Sequence, residues 1–117
     1  VVKTGRSLAK SVTVYDDGET ARGVEKRLLM SPADGSTGFA MRRFTIAPGG
    51  YTPRHVHPWE HQVFVIAGKG EVRFAGGSTP VEPGDYAFVP PMDEHQFRNT
   101  SDSPLEFICV VPPEGES

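Results

Sequence analysis

The sequence predicts an all-β fold, a sandwich or a barrel of short strands, on three observations. Its 117 residues include 13 glycines and 11 prolines, a composition suited to frequent tight turns rather than long helices. Segments of strand type recur at short intervals with turn chemistry between them. No stretch keeps a 3.6-residue apolar period over three turns, so little helix is expected. The length fits one domain, residues 1–117, large enough to bury one modest core.

The elements follow in order. Residues 11–14 and 24–30 open the series as strands, joined across a turn at Asp16-Asp17-Gly18. Residues 31–38 read as a loop by composition. A strand follows over 39–46, and Pro48-Gly49-Gly50 is expected to turn the chain. Residues 51–57 are extended, because Pro53 and Pro58 disfavour helix. Residues 62–67 form a continuous apolar strand, ended by Gly68-Lys69-Gly70. Alternation resumes over 71–74, before Gly76-Gly77. Residues 81–83 lead into a Pro-Gly-Asp turn, with strands over 86–90 and 95–98 beyond it. Another turn at 99–104 precedes the last strand, 105–111. That strand sets Phe107, Cys109 and Val111 on one face and Glu106, Ile108 and Val110 on the other.

Several function classes receive no support. The net charge is -3 with acids and bases interspersed, so neither a nucleic-acid footprint nor a polybasic membrane patch is present. No apolar run approaches the roughly 18 residues of a membrane span, and the first residues lack the apolar core of a signal peptide. Cys109 is the single cysteine, which excludes an intrachain disulfide and a cysteine zinc cluster. A reducing, cytoplasmic setting is the expectation. Because residues 62–67 are apolar on both faces, one face is expected to cover the core and the other to be buried in a homodimer.

The four histidines carry the chemistry. Three fall in the segment His55-Val56-His57-Pro58-Trp59-Glu60-His61, and His95 opens a later strand. On an extended chain His55 and His57 point the same way, with Cα atoms about 6.6–7 Å apart, a span two imidazoles can close onto one ion. Without a reversal His61 would sit roughly 13 Å beyond His57. Pro58-Trp59-Glu60 is short enough to make one, after which residues 62–67 are expected to return antiparallel beside 51–57. A lone histidine at a strand end is usually just solvated or hydrogen-bonded; the pattern His-x-His makes a metal a serious alternative.

These residues resemble the two motifs of the cupin superfamily. The first motif, Gly then His-x-His then Glu then Gly, is matched by Gly49, His55, His57, His61 in the place of Glu, and Gly68, with every interval kept. The second, Gly then Pro-x-Gly then His then Asn, is matched by Gly84, Pro90, Met92 in the place of Gly, His95 and Asn99. The motifs span about 49–68 and 84–99. The resemblance implies a single cupin-type (jelly-roll) β-barrel and a metal site of His55, His57, His61 and His95, as in small single-domain bacterial cupins with four-histidine sites. It leaves the reaction open, since this fold hosts many activities.

Two departures matter. His61 replaces a carboxylate, and a turn slipped by one residue would instead offer Glu60 or Gln62. Met92 replaces a glycine, whose torsions methionine does not easily reach. The resemblance implies one divalent transition-metal ion per chain, with manganese or iron favoured and zinc, nickel or copper compatible with imidazole ligands. Four neutral imidazoles leave the ion's charge uncompensated, which favours bound anions and lowers the pKa of bound water. A six-coordinate ion keeps two open positions for O2 or a bidentate substrate. Tetrahedral zinc closed by four histidines keeps none and would be structural.

Around this site, Phe97 shares the parity of His95, and Phe107 and Cys109 lie on the inward face the resemblance implies. Arg42, in register with Phe44, is a candidate clamp for a substrate carboxylate, with Arg43 facing outward. Phe44 belongs to the same expected pocket. Plain core for Phe107 and Cys109, and solvated arginines, are the alternative readings. Glu60 and Glu94 each precede a histidine and, with Arg42, are the catalytic candidates. Trp59 is either support for its turn or a lid or subunit contact. The expected activity is a metal-dependent oxidoreductase or dioxygenase, using O2 or a peroxide on a small, partly apolar substrate. A non-catalytic metal or small-molecule binding module is the alternative. A sugar isomerase or epimerase is disfavoured, because no histidine is left over as a base.

Overall fold

The computed structural model describes residues 1–116. Its strands are β1 (Val12–Tyr15), β2 (Arg22–Met30), β3 (Ala40–Tyr51), β4 (His61–Ala67), β5 (Gly70–Phe74), β6 (Gly77–Val81), β7 (Tyr86–Val89), β8 (His95–Arg98) and β9 (Leu105–Val111). Three short 3-10 turns complete the described residues, which contain no α-helix. All the strand pairings are antiparallel, in the order β6-β5-β8-β3-β9-β4-β7, with β2 on the other side of β3 and β1 beside β2. This is the nearly closed barrel that the motifs imply. Among the described residues, no helix is long and apolar enough to cross a membrane.

The core lies along β9, between β3 and β4. Leu105, Phe107, Cys109 and Val111 are buried while the residues between them are not, so the alternation read from sequence is the inward face. Phe107 packs between Phe44 and Phe97, at centroid distances of 5.2 Å and 4.6 Å. Val24, Ile46 and Val65 close the same core. On β4, His61, Val63 and Val65 point in and Gln62, Phe64 and Ile66 point out. The outer face is indeed apolar: Phe64 stands beside Tyr86 and Phe88 of β7, at 50%, 83% and 54% exposure.

Two expectations are corrected here. Pro48-Gly49-Gly50 does not end the strand; β3 runs through it to Tyr51. Its pairing with β2 slips between Val24↔Ile46 and Arg22↔Tyr51, so two steps on β2 face five on β3. Gly49 adopts φ 76, and a Cβ on Gly50 would strike the Arg22 carbonyl oxygen, so the two glycines make a bulge rather than a turn. Asn99 fastens it. Its backbone exchanges hydrogen bonds with Gly49 and Gly50, and its buried amide donates to the carbonyls of Ile46 at 2.9 Å and Ser103 at 2.7 Å. The asparagine of the second motif therefore braces the barrel.

The second correction concerns pairing. Strand β4 does not return beside residues 51–57; it lies between β9 and β7. Residues 51–57 instead run along β8, through Tyr51↔Arg98, the Thr52 N–H on the Phe97 carbonyl, and a bridge between His55 and His95. Local turn chemistry predicts that a reversal occurs, but not which strand receives the chain afterwards.

Candidate metal centre

The extended segment after β3 carries His55 and His57. Its His55 exchanges two backbone hydrogen bonds of 3.0 Å with His95, which places the start of β8 alongside. Pro58-Trp59-Glu60 then carries the chain across to β4, whose first inward residue is His61. Met92 ties the second motif to the first by donating its N–H to the His57 carbonyl at 2.6 Å. It does so with φ 69, the one positive φ of a non-glycine among the described residues. Methionine thus takes up the left-handed conformation for which the motif uses glycine, at a cost of roughly 1–2 kcal/mol.

Three imidazoles converge. Ligand nitrogens of His57, His61 and His95 lie within 4.8 Å of one another, and the rings of His61 and His95 are 4.6 Å apart. Two nitrogens each about 2.1 Å from a common ion stand at most about 4.2 Å apart, so small ring rotations bring all three to ligation distance. His55 is not part of this trio. It is exposed, and its Nδ1 lies 3.1 Å from Nε2 of His57. The alternatives from a slipped turn are excluded: Gln62 points outward and donates to the Glu60 carboxylate at 3.2 Å.

The surroundings fix which nitrogens face inward. Nδ1 of His95 is 3.1 Å from the Asp93 carbonyl, which only accepts, so it carries the proton and leaves Nε2 with a lone pair. Nδ1 of His61 is 3.5 Å from the buried Cys109 thiol, while its Nε2 is buried with no hydrogen-bond partner. With the proton on Nδ1 facing the sulfur, this buried, unpartnered Nε2 among neutral rings is what a cation would satisfy, so the donor set fits a transition metal. Burial first, and then neighbouring positive groups, hold His61 down to about 3 and His57 to about 4. Burial also lowers His95, and partial desolvation of its ring, followed by the neighbouring His95, lowers His55. All four rings are therefore neutral at physiological pH, the form that ligates. Cys109 acts on this site through His61, by holding its ring orientation. Cys109→Ala is expected to weaken metal binding about tenfold in a chelator competition, with the fold unchanged by circular dichroism.

The trio lines one end of a cavity of about 310 Å³, a volume suited to a small ligand. Arg42, Phe44, Phe97, Phe107 and Cys109 all line it. The Arg42 side chain is buried, stacked 5.2 Å from the Phe44 ring, and donates to Cys109 Sγ at 3.1 Å. Arg43 points away and donates to Ser7 and Glu106. Trp59 stacks on His57 at 4.8 Å, so it supports the ligand turn and forms part of the wall. Glu60 and Glu94 do not line the cavity. Glu94 pairs instead with Arg54 at 2.6 Å, and Glu60 accepts from Gln62 at 3.2 Å.

Sequence reasoning missed Lys26 and Glu116, which meet Arg42 in the cavity. Lys26 had a usable signal, because it shares a strand face with the apolar Val24. Glu116, on a polar Pro-Glu-Gly turn, had none.

An antiparallel barrel with histidines turned inward from two motifs defines a class of β-barrel domains with an internal candidate metal centre. The cupin-domain family model matches residues 42–111, and the chain belongs to the cupin family. Among curated relatives, it is 33% identical over 90 residues to the 1-methylthio-D-xylulose 5-phosphate methylsulfurylase of Rhodospirillum rubrum, covering 77% of this chain and 56% of that protein. It is 34% identical over 90 residues to the L-ectoine synthase of Vibrio campbellii, covering 74% and 67%. The chain thus spans between about half and two thirds of these relatives. Among solved structures, the polyketide cyclase RemF of Streptomyces resistomycificus aligns with a TM-score of 0.87 at 26% identity, over 97% of this chain and 80% of that one.

Proposed function

We propose that this chain is a metal-dependent cupin enzyme, an oxidoreductase that uses O2 or a peroxide on a small, partly apolar substrate. One observation carries the reading: neutral imidazoles converge in the lining of a cavity whose wall also holds three phenylalanines and the cations Lys26 and Arg42, both paired with Glu116. His57, His61 and His95 would hold the ion, with His55 turning in as the fourth ligand. Its Nδ1 stands 3.1 Å from His57 Nε2, near the roughly 3 Å between two ligands at right angles on one ion. Manganese or iron fits this ligand set and the proposed chemistry. When bound, such an ion supplies a Lewis acid and a redox centre.

The chain's own residues have separate tasks. Phe44, Phe97 and Phe107 receive the apolar body of the substrate and keep water away from it. Arg42, fixed by Phe44 and Cys109, faces the cavity as an anion partner. No histidine remains outside the cluster to serve as a base.

The test is oxygen consumption by protein loaded with manganese, iron or zinc, over a panel of enols, diketones and aryl alkenes. Uptake with manganese or iron, absent with zinc and after metal removal, is the expected result. A second reading, ring closure or elimination without O2, draws support from the similarity to a polyketide cyclase over nearly the whole chain. Turnover that persists under nitrogen selects it. Ligand binding with no turnover under either gas would overturn both readings in favour of a binding module.

A further inference from the structure

The cavity contains one carboxylate, and the barrel wall does not supply it. Among the described residues that line the cavity, Glu116 alone is acidic. It belongs to the 3-10 turn Pro113–Glu116 that follows β9. Its Oε1 accepts from Arg42 Nη1 at 2.8 Å and from Lys26 Nζ at 2.9 Å, and its Oε2 accepts from Lys26 at 2.8 Å. The two cations come from paired strands, where Lys26 faces Phe44 and Leu28 faces Arg42. Their side chains are only 12% and 8% exposed, against 15% for the carboxylate. Two cations so far withdrawn from water need an anion between them.

That anion need not be Glu116. Lys26 is placed over the Tyr15 ring at 5.8 Å, and Arg42 is held over Phe44 and against Cys109, so both retain partners without it. Beneath them a row of rings, Phe44, Phe107 and Phe97, leads toward His95, with centroid steps of 5.2, 4.6 and 6.5 Å. A flat apolar acid could set its ring on this row and its carboxylate between the cations. The turn bearing Glu116 is seated by Gly115, where a Cβ would come within 2.8 Å of Val111 Cβ and 3.0 Å of Trp59 Nε1.

We propose that Lys26 and Arg42 form a carboxylate subsite for an aromatic or unsaturated monocarboxylate, and that Glu116 is its tethered occupant, displaced when the ligand enters. This rests on the reading of the cavity as a ligand site. A tethered carboxylate competes at a high effective concentration, so it lowers the apparent affinity for a free one.

Benzoate and its neutral analogue benzamide, titrated calorimetrically into the full chain, test it. Glu116→Gln is expected to bind benzoate about tenfold more tightly than the unmodified protein. Adding Lys26→Met should abolish that gain, and benzamide should show none. Gly115→Val, which pushes the turn away from Val111 and Trp59 without altering charge, should also tighten benzoate binding. Equal or weaker benzoate binding by both variants, with circular dichroism unchanged, overturns the proposal; so does an equal gain for benzamide. Metal content and oxygen uptake, measured on the same unmodified preparation, report on the oxidoreductase reading separately. Their failure would leave a positive benzoate result standing.

Discussion

Alanine at His61 is expected to weaken binding of manganese or ferrous ion at least about a hundredfold, read by competition with a chromophoric chelator. Loss of a residue that merely orients a ligand costs 10–100-fold in metal sites, so loss of a ligand should cost no less. Two controls set the scale. Gln62→Ala should leave affinity nearly unchanged, since Gln62 points outward from the barrel. His55→Ala should fall between the two, because His55 touches His57 but lies outside the converging trio. Wild-type affinity in His61→Ala would remove β4 from the site, leaving an ion held by His55, His57 and His95 alone. The barrel itself should survive the change, because His61 sits at the end of β4 and the buried Val63 and Val65 anchor that strand.

What sequence reveals here is set by the range of the interactions involved. The inward face of β9 and the turn at Gly68-Lys69-Gly70 follow from pleat and turn chemistry, which act over a few residues. Motif spacing brings His95 into view because the two motifs are read together. The partners of β4 were not legible, since strand pairing over dozens of residues leaves no local trace. The bulge at Gly49 and Gly50 was hidden for a different reason: Pro-Gly-Gly suits a turn equally well, and only the Asn99 hydrogen bonds decide for the bulge. Arg42 illustrates the boundary. Its inward parity was readable from Phe44 and Ile46, but its ion pair with Glu116 depends on the path of the chain after β9.

The metal-free protein is expected to lose stability steadily as pH falls below about 6.5, even though the histidines are neutral at the start. In an unfolded chain each imidazole titrates near 6.5. In the folded protein burial holds His61 down to about 3, helped by His95 and Arg42, and holds His57 to about 4. Between these values the unfolded chain binds protons that the folded one refuses, so stability is complete above the unfolded value and falls with falling pH. His61, only 6% exposed, accounts for about 3 kcal/mol of loss by pH 4, a large part of the reserve of a small domain. Urea denaturation after chelation, from pH 7 to pH 4, should show the midpoint falling, and His61→Gln should flatten much of the slope. A midpoint independent of pH would mean that the rings protonate in place, and that the cavity is wetter than its aromatic wall suggests. The same depression of the folded-state values has a functional consequence. Between pH 7.5 and 6 His57 and His61 have almost no protons to release, so metal affinity should fall less steeply with pH than in a cluster of ordinary histidines.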